Sequence, residues 1–233
     1  EGYVVAEDIQ KAKSFGAITL ANVDADYVYH DCVFAYGMLL EAFHDFPSDS
    51  LCVIGVTGTN GKTTTTALLG QIIGDYFAST YVVGNIGIPY TSMALETSED
   101  TVTVAEISSF QLETIHDFCP VVSAILNITP DHLNRHYTFE NYANCKLDIT
   151  KNQSEDDFAI LNYDDPETVK LADRIKAKVI YFSRINRLAE GVYVDRDDVL
   201  INYNNKITKV LSLKDIKLLG THNVENILAA VAM

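Results

Sequence analysis

Strand, glycine-rich turn and helix start follow one another in Leu51-Cys-Val-Ile-Gly-Val-Thr-Gly-Thr-Asn-Gly-Lys-Thr-Thr-Thr-Thr66. The first six residues are apolar or small, which is typical of a strand buried in a parallel sheet. A glycine-rich turn between a strand and a helix is the context of a phosphate-binding loop. The general motif has glycine where this chain has Val56, but Gly61-Lys-Thr63 still predicts a nucleotide site.

The predicted loop offers phosphate oxygens both backbone amides and positive charge. The residues that we expect to contact the nucleotide are Gly58, Thr59, Asn60, Gly61, Lys62, Thr63 and Thr64. The positive end of the helix favours an anion, Lys62 is placed to meet the β- and γ-phosphates, and the Thr63 hydroxyl is placed to bind Mg²⁺. The alternative is a glycine-rich turn without a ligand.

Strands and helices alternate after this loop. Apolar runs predict strands at Leu51–Val56, Thr80–Val83, Val102–Ile107, Val122–Asn127, Phe158–Asn162 and Lys178–Phe182, and helices are predicted at 62–76, 109–117, 138–151, 165–176 and from Asn223. This alternation indicates an α/β fold, a P-loop NTPase-like parallel sheet with helices on both faces. Residues 191–213 contain short β-rich runs separated by Asp-Asp and Asn-Asn, which predict a small antiparallel β appendage.

Composition narrows the classes of function. The chain of 233 residues is 48% apolar and carries 17 basic against 32 acidic residues, a net charge of −15. That charge repels phosphate backbones and argues against a nucleic-acid-binding protein. No apolar run approaches the roughly 20 residues of a membrane span. The four cysteines form no CxxC pair and are expected to be free, mostly buried thiols of a cytoplasmic protein.

Further sequence blocks follow the phosphate loop in a fixed order. They are Val83-Gly-Asn-Ile-Gly-Ile-Pro89, Ala105-Glu-Ile-Ser-Ser-Phe-Gln-Leu-Glu113, Asn127-Ile-Thr-Pro-Asp-His-Leu-Asn-Arg-His136, Tyr142-Ala-Asn-Cys-Lys146 and Gly220-Thr-His-Asn-Val-Glu-Asn-Ile-Leu-Ala-Ala230. Together with Thr57-Gly-Thr-Asn-Gly-Lys-Thr63, this set resembles the central ATP-binding domain of the Mur ligase family. Within the family, the blocks that begin at Val83, Ala105 and Asn127 are most similar to the branch that adds D-glutamate.

The resemblance implies an activity and its ligands. It implies an ATP-dependent, ADP-forming amide ligase of peptidoglycan synthesis. The enzyme would join D-glutamate to UDP-N-acetylmuramoyl-L-alanine through an acyl phosphate. It would use two Mg²⁺ ions and act as a monomer. The alternative within the family is addition of the third amino acid to UDP-N-acetylmuramoyl-L-alanyl-D-glutamate. Outside it, a P-loop switch or kinase predicts an Asn-Lys-x-Asp motif or a lid arginine set, and neither occurs. An ATP-binding module without turnover stays open.

The resemblance also assigns roles to individual residues. The catalytic residues are Lys62, His132 and Lys146, and the Mg²⁺ ligands are Thr63, Glu106, His132 and Lys146, the lysine being carbamylated by CO₂. Substrate contacts are Asn85, Ser108, Ser109 and Gln111, and adenine-side contacts are His222, Asn223 and Asn226. Each role has a structural alternative. Glu106 would be a solvated carboxylate at a strand end, His132 a structural or exposed histidine, and Lys146 a solvated lysine on a helix face. The residues near 222 would form a helix start capped by Thr221 or Asn223.

The first 50 residues fit the family branch less well. Residues 1–46 are expected to be a remnant of an N-terminal nucleotide-sugar-binding domain, with helices at 6–14 and from Asp31 and a strand at Ala17–Ala21. Val28–Ser50 is more similar to the branch that adds the third amino acid. Residues 47–233 are expected to form the central domain. A C-terminal domain is expected to be absent and this piece alone inactive.

Overall fold

The computed structural model describes residues 20–21, 27–28, 51–93 and 96–233. It divides into two compact units, Glu1–Ser50 and Leu51–Met233. In the first unit, strands β1 (Leu20–Ala21) and β2 (Tyr27–Val28) pair in parallel. The remainder of the strand predicted at Ala17–Ala21, and both helices predicted before residue 50, lie outside the described residues.

The second unit is built on one mixed sheet. Its strands are β3 (Cys52–Thr57), β4 (Ser79–Gly84), β5 (Thr101–Glu106), β6 (Val122–Ile125), β7 (Phe158–Asn162), β8 (Lys178–Ser183), β9 (Gly191–Asp195), β10 (Asp198–Tyr203) and β11 (Lys206–Ser212). Among the described residues the order is β11-β10-β9-β8-β7-β6-β3-β5-β4. Pairing is parallel from β4 to β9 and antiparallel from β9 to β11. The predicted α/β fold is confirmed.

The antiparallel strands extend the main sheet. Strand β9 pairs in parallel with β8 through Phe182↔Val192, and β10 and β11 add to it as a meander. Asn204 and Asn205 both have positive φ, 50° and 60°, as a two-residue hairpin turn requires. The Asn-Asn pair therefore does form the predicted break between two strands.

The helices connect the parallel strands. They are α1 (Lys62–Gly74), α2 (Tyr90–Met93), α3 (Ser109–Leu112), α4 (Leu133–His136), α5 (Phe139–Leu147), α6 (Pro166–Leu171) and α7 (Thr221–Ala232), with 3₁₀ turns at Asp148–Thr150, Ala172–Arg174 and Leu213–Asp215. The helix predicted at 109–117 ends at Leu112. Beyond it, the carbonyls of Ile115, His116 and Phe118 accept hydrogen bonds from the Lys151 and Asn152 side chains, so they are satisfied without a helix.

Both faces of the sheet are covered. On one face Ile54 and Val104 pack with Leu69 of α1 and Ala230 of α7. The opposite face packs against α3 and α5, and its core residues are Val53, Ala105, Leu112, Tyr142 and Leu147. Strand β5 is buried along its whole length. The helices thus leave the carboxyl edge of the parallel strands, where ligands bind in open α/β sheets, to the connecting loops.

The described cysteines are free thiols, as predicted. Cys145 is buried, Cys52 is partly buried and Cys119 is exposed, so the prediction of mostly buried thiols holds for only part of the set; Cys32 lies outside the described residues. None of the described helices combines the length and apolar character that crossing a bilayer needs.

Candidate active site

The loop between β3 and α1 has the backbone of an anion site. Gly58 and Gly61 adopt φ values of 152° and 84°, which favour glycine. Gly61 is the N-cap of α1 and provides no side-chain cap, so the first amides of a 13-residue helix remain available to a ligand. A side chain at Gly61 would collide with the Asn226 amide of α7. The loop and Asn226 are therefore neighbours.

Lys62 lies over the loop that precedes it. Its Nζ donates to the carbonyl oxygens of Gly58 and Thr59, both at 2.9 Å. Partial burial lowers the pKa of Lys62, and the carboxylates of Glu106 and Asp131 oppose that shift. The ammonium is thus held against the backbone of the loop between β3 and α1.

Glu106 ends β5 beside this loop and is 1% exposed. Its Oε2 accepts from the Thr63 hydroxyl at 2.8 Å and its Oε1 accepts from Asn85 Nδ2 at 2.9 Å. The alternative interpretation of Glu106 as a solvated carboxylate at a strand end is wrong, because the side chain is buried. Gly84 has φ 94° and has no room for a Cβ against the Glu106 carbonyl, which explains how the Asn85 turn approaches so closely.

The donor set here suits magnesium. The Thr63 hydroxyl and the Glu106 carboxylate are hard oxygen ligands, and Mg²⁺ takes one or two of these and completes its shell with water and phosphate oxygens. A buried carboxylate whose side-chain partners are an alcohol and an amide also favours a cation. Across the described residues, no group of three or more His, Cys, Asp or Glu side chains forms a metal cluster.

Lys146 projects from α5 into the same region. It is 1% exposed, its Nζ donates to the Gly58 carbonyl at 2.8 Å, and it lies 4.6 Å from the centre of the Tyr142 ring. Burial lowers the pKa of Lys146 to about 7, and nearby Lys62 adds to the shift. The solvated helix-face lysine, the other interpretation of the sequence, is wrong.

Tyr142 is a site residue that the sequence did not single out as functional. It is 1% exposed, and its hydroxyl lies 3.2 Å from Thr59 Oγ1. The signal available was spacing, because residues four apart share one face of a helix and Tyr142 precedes Lys146 by four. The ring faces the lysine while the hydroxyl reaches the phosphate loop.

His132 lies at the solvent-exposed rim of the site, which is formed by the segment after β6. It has φ 53° at the start of α4, its side chain is 47% exposed, and Nε2 lies 3.5 Å from Asp131 Oδ2. Its ring centre is 4.9 Å from that of Phe110 and 6.4 Å from that of Tyr142. A cavity of about 660 Å³ opens beside it, lined by Phe110, Glu113, His132, Asn134, Arg135 and Tyr137.

The predicted substrate contacts around α3 form hydrogen bonds within the protein. Ser108 and Gln111 form a capping box, in which Gln111 Oε1 accepts from the Ser108 amide at 2.9 Å and from its hydroxyl at 2.8 Å. The Ser109 hydroxyl is buried and lies 3.1 Å from His136 Nε2. Of the four predicted substrate contacts, only Asn85 touches the Glu106 carboxylate.

Helix α7 starts differently from the capped alternative. Gly220 is its N-cap and no side-chain cap bond forms, so the structural alternative of a helix start capped by Thr221 or Asn223 is wrong. Instead, Asn223 Nδ2 donates to the Leu219 carbonyl at 2.7 Å and Asn226 Nδ2 donates to Asn223 Oδ1 at 3.1 Å. His222 lies against Gly220. Asn226 is therefore the residue of this set that borders the phosphate loop.

Comparisons with known proteins agree with these features. A family model described as Mur ligase middle domain matches residues 56–233. The UDP-N-acetylmuramoylalanine--D-glutamate ligase of Lachnospira eligens is 54% identical over 181 residues, 78% of this chain and 40% of that protein. Its namesake from Clostridioides difficile is 52% identical over 186 residues, 80% of this chain and 41% of that protein. The chain thus spans about two fifths of the length of these relatives.

Solved structures share the fold. MurF ligase from Thermotoga maritima, solved in complex with ADP, superimposes with a TM-score of 0.60 at 21% sequence identity, and the match covers 97% of this chain and 55% of that one. At this identity the likeness shows the fold alone. The fold and the family predicted from the ordered sequence blocks are confirmed.

Proposed function

Since this chain belongs to the Mur ligase family, we propose that it forms the ATP-binding part of an ADP-forming ligase that joins D-glutamate to UDP-N-acetylmuramoyl-L-alanine. The observation that carries the proposal is the Thr63–Glu106 contact beside a glycine-flanked helix start. This contact supports a magnesium-binding pair next to the proposed phosphate site. The choice of D-glutamate is supported by the names of the relatives at 54% and 52% identity.

The phosphate loop would bind the triphosphate. The free amides at the start of α1 and the Lys62 ammonium offset the charge of the β- and γ-phosphates as a carboxylate approaches. Thr63 and Glu106 would hold Mg²⁺, which when bound neutralises phosphate charge. Asn226, which borders the loop, together with His222 and Asn223, is proposed for the adenosine side. The MurF of similar fold was solved with ADP.

The proposed reaction has two balanced steps. First, a carboxylate oxygen of the muramoyl-alanine attacks the γ-phosphorus, and the bond to the β-phosphate oxygen breaks as ADP leaves with its electron pair. Second, the D-glutamate nitrogen attacks the acyl carbon, inorganic phosphate leaves, and the nitrogen gives up a proton. Positioning and charge neutralisation account for most of the rate gain in phosphoryl transfer. The described residues that meet this need are Lys62 and the loop amides.

We propose that Lys146 is carbamylated. Its burial beside Lys62 lowers its pKa to about 7, so the neutral amine, the form whose lone pair attacks CO₂, is well populated near pH 7. A new N–C bond forms, one C=O electron pair moves to oxygen, and a proton leaves nitrogen. The product is an anion whose oxygens are suited to Mg²⁺, next to Gly58 of the phosphate loop.

The exposed residues around His132 are proposed to bind the acceptor substrate. His132 and the adjoining cavity would face the muramoyl-peptide, and His132 is proposed to assist a second Mg²⁺. Asn85 is the substrate contact best placed, because its amide lies at Glu106. Ser108, Ser109 and Gln111 would act mainly by shaping α3, since their polar groups bond one another or His136. We expect a cytoplasmic monomer.

One experiment tests the proposal. The complete ligase, given ATP, Mg²⁺, UDP-N-acetylmuramoyl-L-alanine and D-glutamate, should release ADP and phosphate in equal amounts. A parallel reaction offers UDP-N-acetylmuramoyl-L-alanyl-D-glutamate and a diamino acid. Release in the second reaction only would overturn the assigned substrates, and release in neither would overturn the ligase activity.

A further inference from the structure

We propose that Asn127 is a positioning residue that holds the phosphate loop in its binding shape; the inference rests on the proposed binding of ATP to that loop. Asn127 lies two residues beyond β6. Its Oδ1 accepts the Asn60 amide at 2.8 Å, and its Nδ2 donates to the Asn60 carbonyl at 3.0 Å. One carboxamide thus binds both backbone polar groups of a single loop residue, a pairing that we term the Asn127 clasp.

Other bonds join the loop to the same segment. The Thr59 amide donates to the Asn127 carbonyl at 2.9 Å, and Thr59 Oγ1 accepts from the Thr129 amide at 3.0 Å. Two consecutive loop residues are therefore tied to residues 127–129. His132 follows three residues later, so the phosphate loop and the rim share one support.

The segment beyond β6 is itself anchored to β7 and the start of α6. The Ile128 amide donates to Asp165 Oδ2 at 2.7 Å, and Asn162 Nδ2 donates to the Leu126 carbonyl at 3.1 Å. These bonds do not involve Asn127. Removing the Asn127 side chain should therefore release Asn60, while the bonds of Thr59 to residues 127–129 and the segment itself stay in place.

Loop order matters because glycines flank the clasped residues. Gly58 and Gly61 have more backbone freedom than other residues and lose more of it when the loop is ordered. Because the clasp orders the loop when the chain folds, the entropy cost of ordering the loop does not reduce the affinity for a ligand. The carboxamide oxygen and nitrogen of Asn127 both bond to Asn60. Asn127 would therefore affect phosphate binding through the loop backbone rather than by direct contact.

The test compares Asn127→Ala with a matched control, Asn152→Ala, in the complete ligase. Asn152 Nδ2 also donates to two backbone carbonyls, those of His116 and Phe118, but these precede β6 and lie away from the carboxyl edge. Both variants lose two side-chain-to-backbone hydrogen bonds. Thermal unfolding measures the structural loss, and calorimetry with MgATP, below both transitions, measures affinity.

We expect Asn127→Ala to bind MgATP about tenfold more weakly, the loss that one to two neutral hydrogen bonds produce. KM for ATP should rise by the same factor and KM for the acceptor should stay within about twofold, because the anchored segment keeps its place. Asn152→Ala should keep wild-type affinity. Equal affinity in the two variants would overturn the inference.

Two additional variants keep the outcome decisive. If Asn127→Ala does not fold, Asn127→Ser, whose shorter side chain cannot span both Asn60 groups, should show the same loss; wild-type affinity there contradicts the clasp. Lys62→Ala separates the two proposals. Weak binding in Lys62→Ala with unchanged binding in Asn127→Ala overturns the inference alone, whereas normal binding in Lys62→Ala overturns ATP binding to this loop.

Discussion

Replacing Lys146 by methionine removes a buried amine and should change how stability depends on pH. Burial and the neighbouring Lys62 lower the pKa of Lys146 from 10.5 to about 7 in the folded chain. The folded state therefore binds this proton less tightly than the unfolded state does. The resulting destabilisation is fully present below pH 7 and is relieved as pH rises from 7 towards 10.5.

The size of the effect follows from those two pKa values. Between pH 7 and pH 9 the free energy of unfolding of the wild-type chain should rise by about 2 kcal/mol relative to Lys146→Met. Urea unfolding of both proteins at pH 7, 8 and 9 measures it, in buffers freed of CO₂ so that carbamylation does not contribute. Parallel pH profiles would refute a depressed pKa at this lysine. Adding bicarbonate at pH 8 should stabilise the wild-type protein alone.

Two other predictions concern the same site in the complete ligase. Lys146→Ala should lose most ADP formation and regain part of it with acetate, whose two oxygens can replace those of a carbamate, whereas Lys146→Arg keeps its positive charge and should not be rescued; normal activity in both variants would contradict the carbamate. Glu106→Gln retains the size of the side chain but loses its charge, so half-maximal ATP binding should need at least about tenfold more Mg²⁺. An unchanged Mg²⁺ requirement in a titration would remove Glu106 from the metal site.

The parallel sheet could be predicted because its signals are local. The run before Gly58 is apolar and short, and the strand β3 that it forms is buried at every residue after Cys52, as expected of a strand covered on both faces. The length of α3 could not be predicted. Its end depends on the Lys151 and Asn152 side chains, which reach the carbonyls of residues 115–118 from more than 30 positions away.

Some residues of the candidate site could likewise be predicted from sequence and others could not. Glu106 ends β5 and Thr63 lies in the first turn of the helix that follows β3. Because parallel strands present their carboxyl ends at one sheet edge, the proximity of these two residues could be predicted. Asn127 and Tyr142 were missed as functional residues because their partners, Asn60 and Thr59, are 67 and 83 positions away. The four-residue spacing puts Tyr142 on the helix face of Lys146, but the contacts of Asn127 and Tyr142 with the phosphate loop depend on the fold that brings the loop to them.

Binding of MgATP to Lys62→Ala is the most direct test of the phosphate-loop assignment. The substitution removes the ammonium that lies 2.9 Å from the Gly58 and Thr59 carbonyls and leaves the glycines and Thr63 in place. Calorimetry on the wild-type protein and this variant, with thermal unfolding as the control for folding, measures the effect. We expect the variant to unfold at a similar temperature and to lose measurable ATP binding. Wild-type ATP affinity in a folded Lys62→Ala protein would contradict the assignment.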